Sequence, residues 1–220
     1  MSFFFKSNNY KHVEELTHGE YGITRFEPSQ VEPNDLKELG PTLEPLYSRC
    51  NGGYLISKSL LIRPARTIGD VRGVMEWNQP ELWKFCFEKI DLSNVVFFAE
   101  NVIGEQFCVK KKKIYLFDPE TGEFTLKAKN IEEWARLIFH QTKDNTLWPI
   151  AQRWEKENGE IPDGKRLVPY VPFIGGGEYE ISNLFPAPDY ERMRIGGQIA
   201  TQIADLPAGT TEVELVIHNE

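Results

Sequence analysis

The chain is short of the residues that most often carry chemistry. Its 220 residues include three cysteines and four histidines, and 33 acidic residues outnumber 25 basic ones. Cys50, Cys86 and Cys108 are an odd number with no short spacing, which argues against both a disulfide framework and a zinc site. His12, His18, His140 and His218 are scattered, and none pairs at a metal-ligand interval. No serine sits in a nucleophile elbow. No apolar run is long enough to span a bilayer. Met1-Ser2-Phe3-Phe4-Phe5-Lys6 has no basic region before its apolar triplet, so a signal peptide is not expected. A net charge of −8 disfavours phosphate backbones and anionic lipids as partners. These features predict a reducing cytoplasm, no cofactor and no direct nucleic-acid or membrane partner. A basic protein partner would be attracted; the plainer account of the charge is solubility.

What is present is ordinary globular material, with 40% hydrophobic and 26% charged residues, enough for one substantial core or a core with a small appended unit. Residues 1–33 have no sustained period and are expected along the surface. Leu36, Leu39, Leu43, Leu46 and Tyr47 recur at helical steps, divided by Gly40-Pro41 and stopped at Asn51-Gly52-Gly53. Tyr54 to Ile62 reads as a strand, and Ile68 to Phe87 as helix interrupted near Asn78-Gln79-Pro80.

The clearest stretch runs from Val95 to Leu126. Val95-Val96-Phe97-Phe98-Ala99 is a continuous apolar run of the kind buried on both sheet faces. Gln106 to Val109 and Ile114 to Phe117 follow as strands, joined by Lys110 to Lys113. Asp118-Pro119-Glu120-Thr121-Gly122 then turns the chain into a fourth strand bearing Phe124 and Leu126. Asn130 and Glu133 form a capping-box pattern before the apolar stripe Ile131, Trp134, Ala135 and Ile138. Beyond it the pattern gives a helix over Leu147 to Asn158, a strand near Leu167 to Val171, and the Gly175-Gly176-Gly177 loop. A helix near Tyr190 to Ile203, a turn at Asp205 to Gly209 and a strand at Val213 to Ile217 complete the tail. The fold class is α+β: a central, mostly antiparallel sheet built as a β-meander and packed by helices, with a small C-terminal α/β extension. Residues 1–145 form the main domain and 146–220 the extension packed on it.

Candidate chemistry is sparse. Cys108, between Phe107 and Val109, reads as a buried small hydrophobe rather than a nucleophile. The glycine triplet is followed by Glu178 and Glu180, which would repel phosphate where a phosphate loop needs lysine and a hydroxyl, so a flexible or close-packed turn is the better account. Glu178 and Glu180 share one side of an extended strand and, with His140, are the residues an enzyme or small-ligand protein would use. Lys110 to Lys113 reads as a solvated hairpin turn. The remaining feature is a set of acids around the meander and its turns, Glu100, Glu105, Asp118, Glu120 and Glu123. They form a candidate partner-docking patch, an ordinary solvated rim being the alternative.

Three stretches carry a resemblance: Phe97 to Cys108, Ile114 to Glu123 and Glu132-Glu133-Trp134, with Asn51-Gly52-Gly53 upstream. Together they resemble the signature of the SUKH superfamily, which includes bacterial immunity proteins and fungal cell-wall-assembly regulators linked to killer-toxin resistance. The tail, with Val171-Pro172-Phe173-Ile174-Gly175-Gly176-Gly177-Glu178-Tyr179, is similar to a C-terminal extension of longer bacterial members. Residues 60–92 depart from the pattern. The resemblance implies a non-enzymatic protein that binds and blocks a cognate toxin of a polymorphic or contact-dependent system. Such toxins are often basic, nucleases or deaminases. An intracellular regulatory or scaffolding adaptor is the alternative.

Overall fold

A computed structural model describes residues 10–18, 23–207, 210 and 214–217. Its centre is a sheet of seven strands: β1 (Thr24–Arg25), β2 (Gly53–Leu55), β3 (Leu60–Ile62), β4 (Val96–Asn101), β5 (Gln106–Lys110), β6 (Lys113–Phe117) and β7 (Phe124–Ala128). Every strand pairs antiparallel with its neighbour in chain order, and β1 and β7 are its two edges. The fold is therefore α+β around an open antiparallel meander, as the turn chemistry predicts.

Both faces of the sheet are covered, which explains the unbroken apolar run in β4. On one face, Phe98, Phe107 and Ile114 pack with helices α1 (Lys11–His18), α2 (Pro33–Leu39), α3 (Glu44–Tyr47) and α5 (Ile131–His140). The expected stripe on α5 is buried, and Trp134 sits edge-on to Phe98 and Phe107 at 5.0 and 5.6 Å. The Asn130 side chain accepts from the Glu133 N–H at 2.9 Å, closing the predicted cap. On the other face, Phe97, Cys108 and Phe117 pack with Trp77 of α4 (Val74–Trp77) and with Trp83 and Phe87 around a 3₁₀ turn at Lys84–Cys86. Met193 and Ala200 of α8 (Asp189–Ile203) close this second core. The β4–β5 register shifts between Phe97 and Ala99, a bulge that brings Phe98 and Ala99 into the same core.

The C-terminal third adds α6 (Thr142–Thr146), α7 (Trp148–Asn158) and a two-stranded antiparallel ribbon of β8 (Lys165–Pro169) and β9 (Leu184–Pro188). Ala151, Trp154, Leu167 and Leu184 form a third cluster with Val102 and Ile103 of the β4–β5 turn. The Leu167 N–H donates to the Val102 carbonyl at 2.9 Å.

Several sequence expectations are corrected. Tyr54 to Ile62 is two strands, because Ile56, Ser57 and Lys58 turn the chain through positive φ without a glycine. Residues 68–87 hold only α4 and the 3₁₀ turn rather than a long helix. The early stretch contains α1 and β1, and β9 forms despite Pro186 and Pro188. Residues 214–217 are irregular; Val213, Ala208 and Gly209, from the expected strand and turn, lie outside the described residues, as does His218.

Close approach of α8 to the meander depends on glycine. A Cβ at Gly196 would lie 2.7 Å from both the Pro119 Cβ and its carbonyl oxygen, and one at Gly197 would lie 2.7 Å from the Cys86 Cβ. Alanine gains about 1 kcal/mol over glycine in a helix interior. Overpacking against backbone costs about 1–3 kcal/mol. Gly196→Ala is therefore expected to lower the urea midpoint, although the same change in an exposed helix raises it.

Candidate functional site

The acids of the meander divide into two environments. Glu100 lies near the end of β4 and is fully buried, where β3 and the C-terminal third meet, and so does not belong to a solvent-facing patch. Arg166 of β8 donates through Nε to Glu100 Oε1 at 2.8 Å. Arg63, just beyond β3, places Nη2 2.9 Å from Glu100 Oε2, close enough for an ion pair though not aligned as a hydrogen bond. The Arg63 Nη1 donates to Asp189 Oδ2 at 2.9 Å, and its guanidinium lies 3.3 Å from the Trp77 ring centre. Gln106 completes the shell: its amide donates to Glu100, and its Oε1 accepts from the Trp77 indole at 3.1 Å. Burial pushes the Glu100 carboxyl up, but Arg63, Arg166 and the Gln106 amide outweigh it and hold the group below its ordinary value. Asp189 goes the other way, raised by burial and by the Glu100 charge against the pull of Arg63 and Arg166.

Glu120 is also corrected from rim to interior, with only 2% exposure. Its Oε1 accepts from Arg192 Nη2 at 3.0 Å, and its Oε2 accepts from the backbone N–H of Ile174 at 2.9 Å. Arg192 also donates Nε to the Ile103 carbonyl at 3.0 Å. One carboxylate thus ties α8 to the loop between β8 and β9. Of the remaining acids, Asp118 caps its own turn, accepting from the Glu120 N–H at 2.8 Å and the Thr121 hydroxyl at 3.0 Å. Glu105 is half-buried, and its carboxyl is raised by burial and by the neighbouring Asp118 charge, against a hydrogen bond from Asn101. Glu123 is exposed.

Glu105, Asp118 and Glu120 are brought together. With Arg192, Phe173, Ile174 and Tyr179 they line a recess of about 210 Å³. Its outer wall is the 170–179 loop, where Tyr170, Val171, Ile174 and Tyr179 are 66, 50, 50 and 52% exposed. The loop is nonetheless braced. Asn183 accepts from the Val171 N–H at 2.9 Å and donates to the carbonyls of Val171 and Glu178 at 3.0 and 3.1 Å. A Cβ at Gly177 would lie 1.9 Å from the Val171 oxygen, so the glycine loop is close-packed at that residue, whereas Gly175 and Gly176 face open space. Phe173 and Tyr179 stack face to face, 4.0 Å apart and 7° from parallel, and Tyr170 stacks on Phe185 at 4.6 Å.

A larger groove of about 600 Å³ opens beside Asp189, bordered by Asp70, Arg72, Asp163 and Tyr190. Arg72 reaches to 3.5 Å from Asp189 and lies over the Tyr190 ring at 4.4 Å.

The residues considered for catalysis sit in separate settings. His140 lies edge-on to His12 at 5.8 Å, and the His12 Nδ1 is 2.7 Å from Glu132. Glu180 pairs with Arg153 at 2.7 Å, and Glu178 is exposed. Burial lifts the Cys108 thiol to about 12, so it stays protonated. The three cysteines form no disulfide. Among the described residues no group of three or more His, Cys, Asp or Glu side chains is placed to hold a metal ion, and no helix is long and apolar enough to cross a membrane.

This geometry defines an α+β protein whose C-terminal third is pinned to its meander by buried arginine–carboxylate pairs. The fold is shared with the crystal structure of Atu4351 from Agrobacterium tumefaciens: TM-score 0.60, 12% identity, over 86% of this chain and 88% of that one. At that identity the likeness shows the fold. No family model matches the chain, and no curated protein matches it in sequence.

Arg63, Arg166, Arg192 and Asp189 were not anticipated as a network. The signal was there for two: Arg63 follows Leu60-Leu61-Ile62, and Arg166 opens Arg166-Leu167-Val168, charges set against strands buried on both sides. Removing one partner of a buried pair strands the other, at a cost of about 3–5 kcal/mol. Glu100→Ala is therefore expected to lose stability on that scale in urea denaturation, while Glu123→Ala stays within about 0.5 kcal/mol.

Lys84 gives a pH signature. Its ammonium is half-buried, donates to the Val95 carbonyl at 3.1 Å, and is pulled by burial to about 8 from its usual 10.5. Below that value folded and unfolded chains both carry the proton, and the desolvation cost is complete. Between about 8 and 10.5 the unfolded chain holds more protons, so stability from this group rises with pH. Lys84→Met should raise the urea midpoint at pH 7, with the advantage fading as the buffer approaches pH 10.

Proposed function

We propose that this protein is an immunity protein of the SUKH type. It binds a cognate, basic toxin domain, a nuclease or a deaminase, in the cytoplasm and blocks it by stoichiometric binding rather than by catalysis. The observation that carries the reading is the braced, solvent-facing loop with Tyr170, Val171, Ile174 and Tyr179 on a chain of net charge −8. Large apolar side chains gathered on one exposed loop mark a protein-interaction surface when the backbone beneath them is ordered. A single excess of acidic charge selects basic partners and speeds their arrival. The wider sequence resemblance supplies the toxin as the kind of partner. The internal use of Glu100 and Glu120 as arginine counterions, together with a protonated Cys108, fits a binder better than a hydrolase.

Co-expression with the toxin domain encoded by the adjacent reading frame tests the proposal. Rescue of growth, and a one-to-one complex by size exclusion with light scattering, are the expected results. The association rate should fall about tenfold or more from low to high salt, as for electrostatically steered pairs. Absence of rescue, with several non-toxic partners recovered instead, would favour a regulatory adaptor and sink the toxin reading.

A further inference from the structure

We propose that the recess beside the 170–179 loop is the anchor point for one lysine or arginine side chain of the partner, with the loop's exposed apolar residues packing around its stem. The inference rests on the binding role proposed above and names the contact through which it acts.

Three features converge. The first is charge. Glu105, Asp118 and Glu120 line the recess with a single guanidinium, Arg192, leaving an excess of two negative charges. Glu120 is committed to Arg192 and to the Ile174 N–H. Glu105 and Asp118 therefore carry the excess, in a partly enclosed space where Coulomb attraction is stronger than in open water.

The second is shape. At about 210 Å³ the recess is smaller than the roughly 300–1,000 Å³ cavities that enclose small-molecule ligands, and is suited to one long side chain. Lysine and arginine pair an apolar stem with a charged head. The recess offers the matching order, Ile174 and Tyr179 at its outer wall and carboxylates within.

The third is the wall itself. The Tyr179 ring is half-exposed and locked by its stack on Phe173, so it presents an aromatic surface beside the acids. Cations favour such faces, arginine more than lysine. Arg192, 1% exposed, is held beneath this wall by Glu120 and the Ile103 carbonyl, so its position is fixed. A second copy of this chain is the weaker occupant, because it would bring another −8 to an acidic site.

The test uses small probes before any partner. N-acetyl-arginine amide is titrated into the isotopically labelled full chain and followed by amide shifts, with N-acetyl-norleucine amide as an uncharged control that keeps only the apolar stem. The expected result is saturable shifts centred on Thr121 and Ile174 with the arginine probe alone. Glu105→Gln should weaken the probe about tenfold, as expected for loss of one nearby charge, and Glu123→Gln should not. Tyr179→Ala should weaken it as well, with an unchanged circular dichroism spectrum showing that the fold persists. Equal response to norleucine, shifts centred elsewhere, or equal weakening by Glu123→Gln would overturn the assignment. The same variants are then carried into the rescue experiment. Loss of rescue by Glu105→Gln and Tyr179→Ala supports the anchor. Full rescue by both variants overturns it while leaving the immunity reading intact. If the unaltered chain fails to rescue, the immunity reading fails, and the titration alone decides whether the recess takes a cation.

Discussion

The docking register of the C-terminal third is set by one buried carboxylate and the two arginines that neutralise it. Glu100 has no exposure to water, so its charge persists only because Arg63 and Arg166 approach it from opposite sides of the chain's history, one beside β3 and the other in β8. Desolvating such ions costs several kcal/mol each, and only close, well-fixed partners offset it. The geometry leaves little choice of register. If β8 slid by one residue, Arg166 would turn to the other face and Glu100 would lose its only aligned arginine hydrogen bond. Well-packed apolar residues would hold the same segments together as strongly. What the ionic version adds is a demand for one docking position of the tail.

A second link passes that demand outward. Asp189 opens α8 against Arg63, one turn later Arg192 meets Glu120, and Glu120 in turn receives the Ile174 N–H. The path runs from the centre of the sheet to the exposed loop through hydrogen bonds of ordinary length. The Asn183 brace then fixes the far side of the same loop. A surface held this way loses little conformational freedom when a partner covers it, which is where affinity is commonly lost. The aromatic residues at its tip are thus displayed by the core rather than left loose in solvent.

The legible parts of the molecule were those whose signals are local. The meander could be read because apolar runs alternate with Asp118-Pro119-Glu120-Thr121-Gly122 and the lysine hairpin, and because helix α5 carries its own cap. The hairpin at residues 56–58 carries no glycine to announce its positive φ, so β2 and β3 read as one strand. The prolines of β9 argue against a strand, yet β9 has a partner on one side only, where a missing N–H is tolerated. Residues 68–87 have helix-like spacing, but Gly69, Gly73 and Pro80 break it and tertiary packing of Trp77 and Trp83 decides the path. The acids were the hardest case. A carboxylate at the end of a strand or on a turn is expected at the surface, and the long-range arrival of Arg166 and Arg192 takes Glu100 and Glu120 inside.

That sorting changes what the net charge means. The buried charges among the described residues are Arg63, Arg166, Arg192, Glu100, Glu120 and Asp189, three of each sign. They cancel, so the whole excess of −8 falls on the other residues. Internal pairing therefore spends no part of the field that a basic partner would meet. Glu105 and Asp118 stand at the boundary between the two populations, beside a buried ion pair yet within reach of solvent through the recess. Their repulsion and partial burial are borne in the isolated chain, as the raised Glu105 carboxyl records. A cation placed beside them would offset both, which ties the molecule's overall acidity to one specific point on its surface.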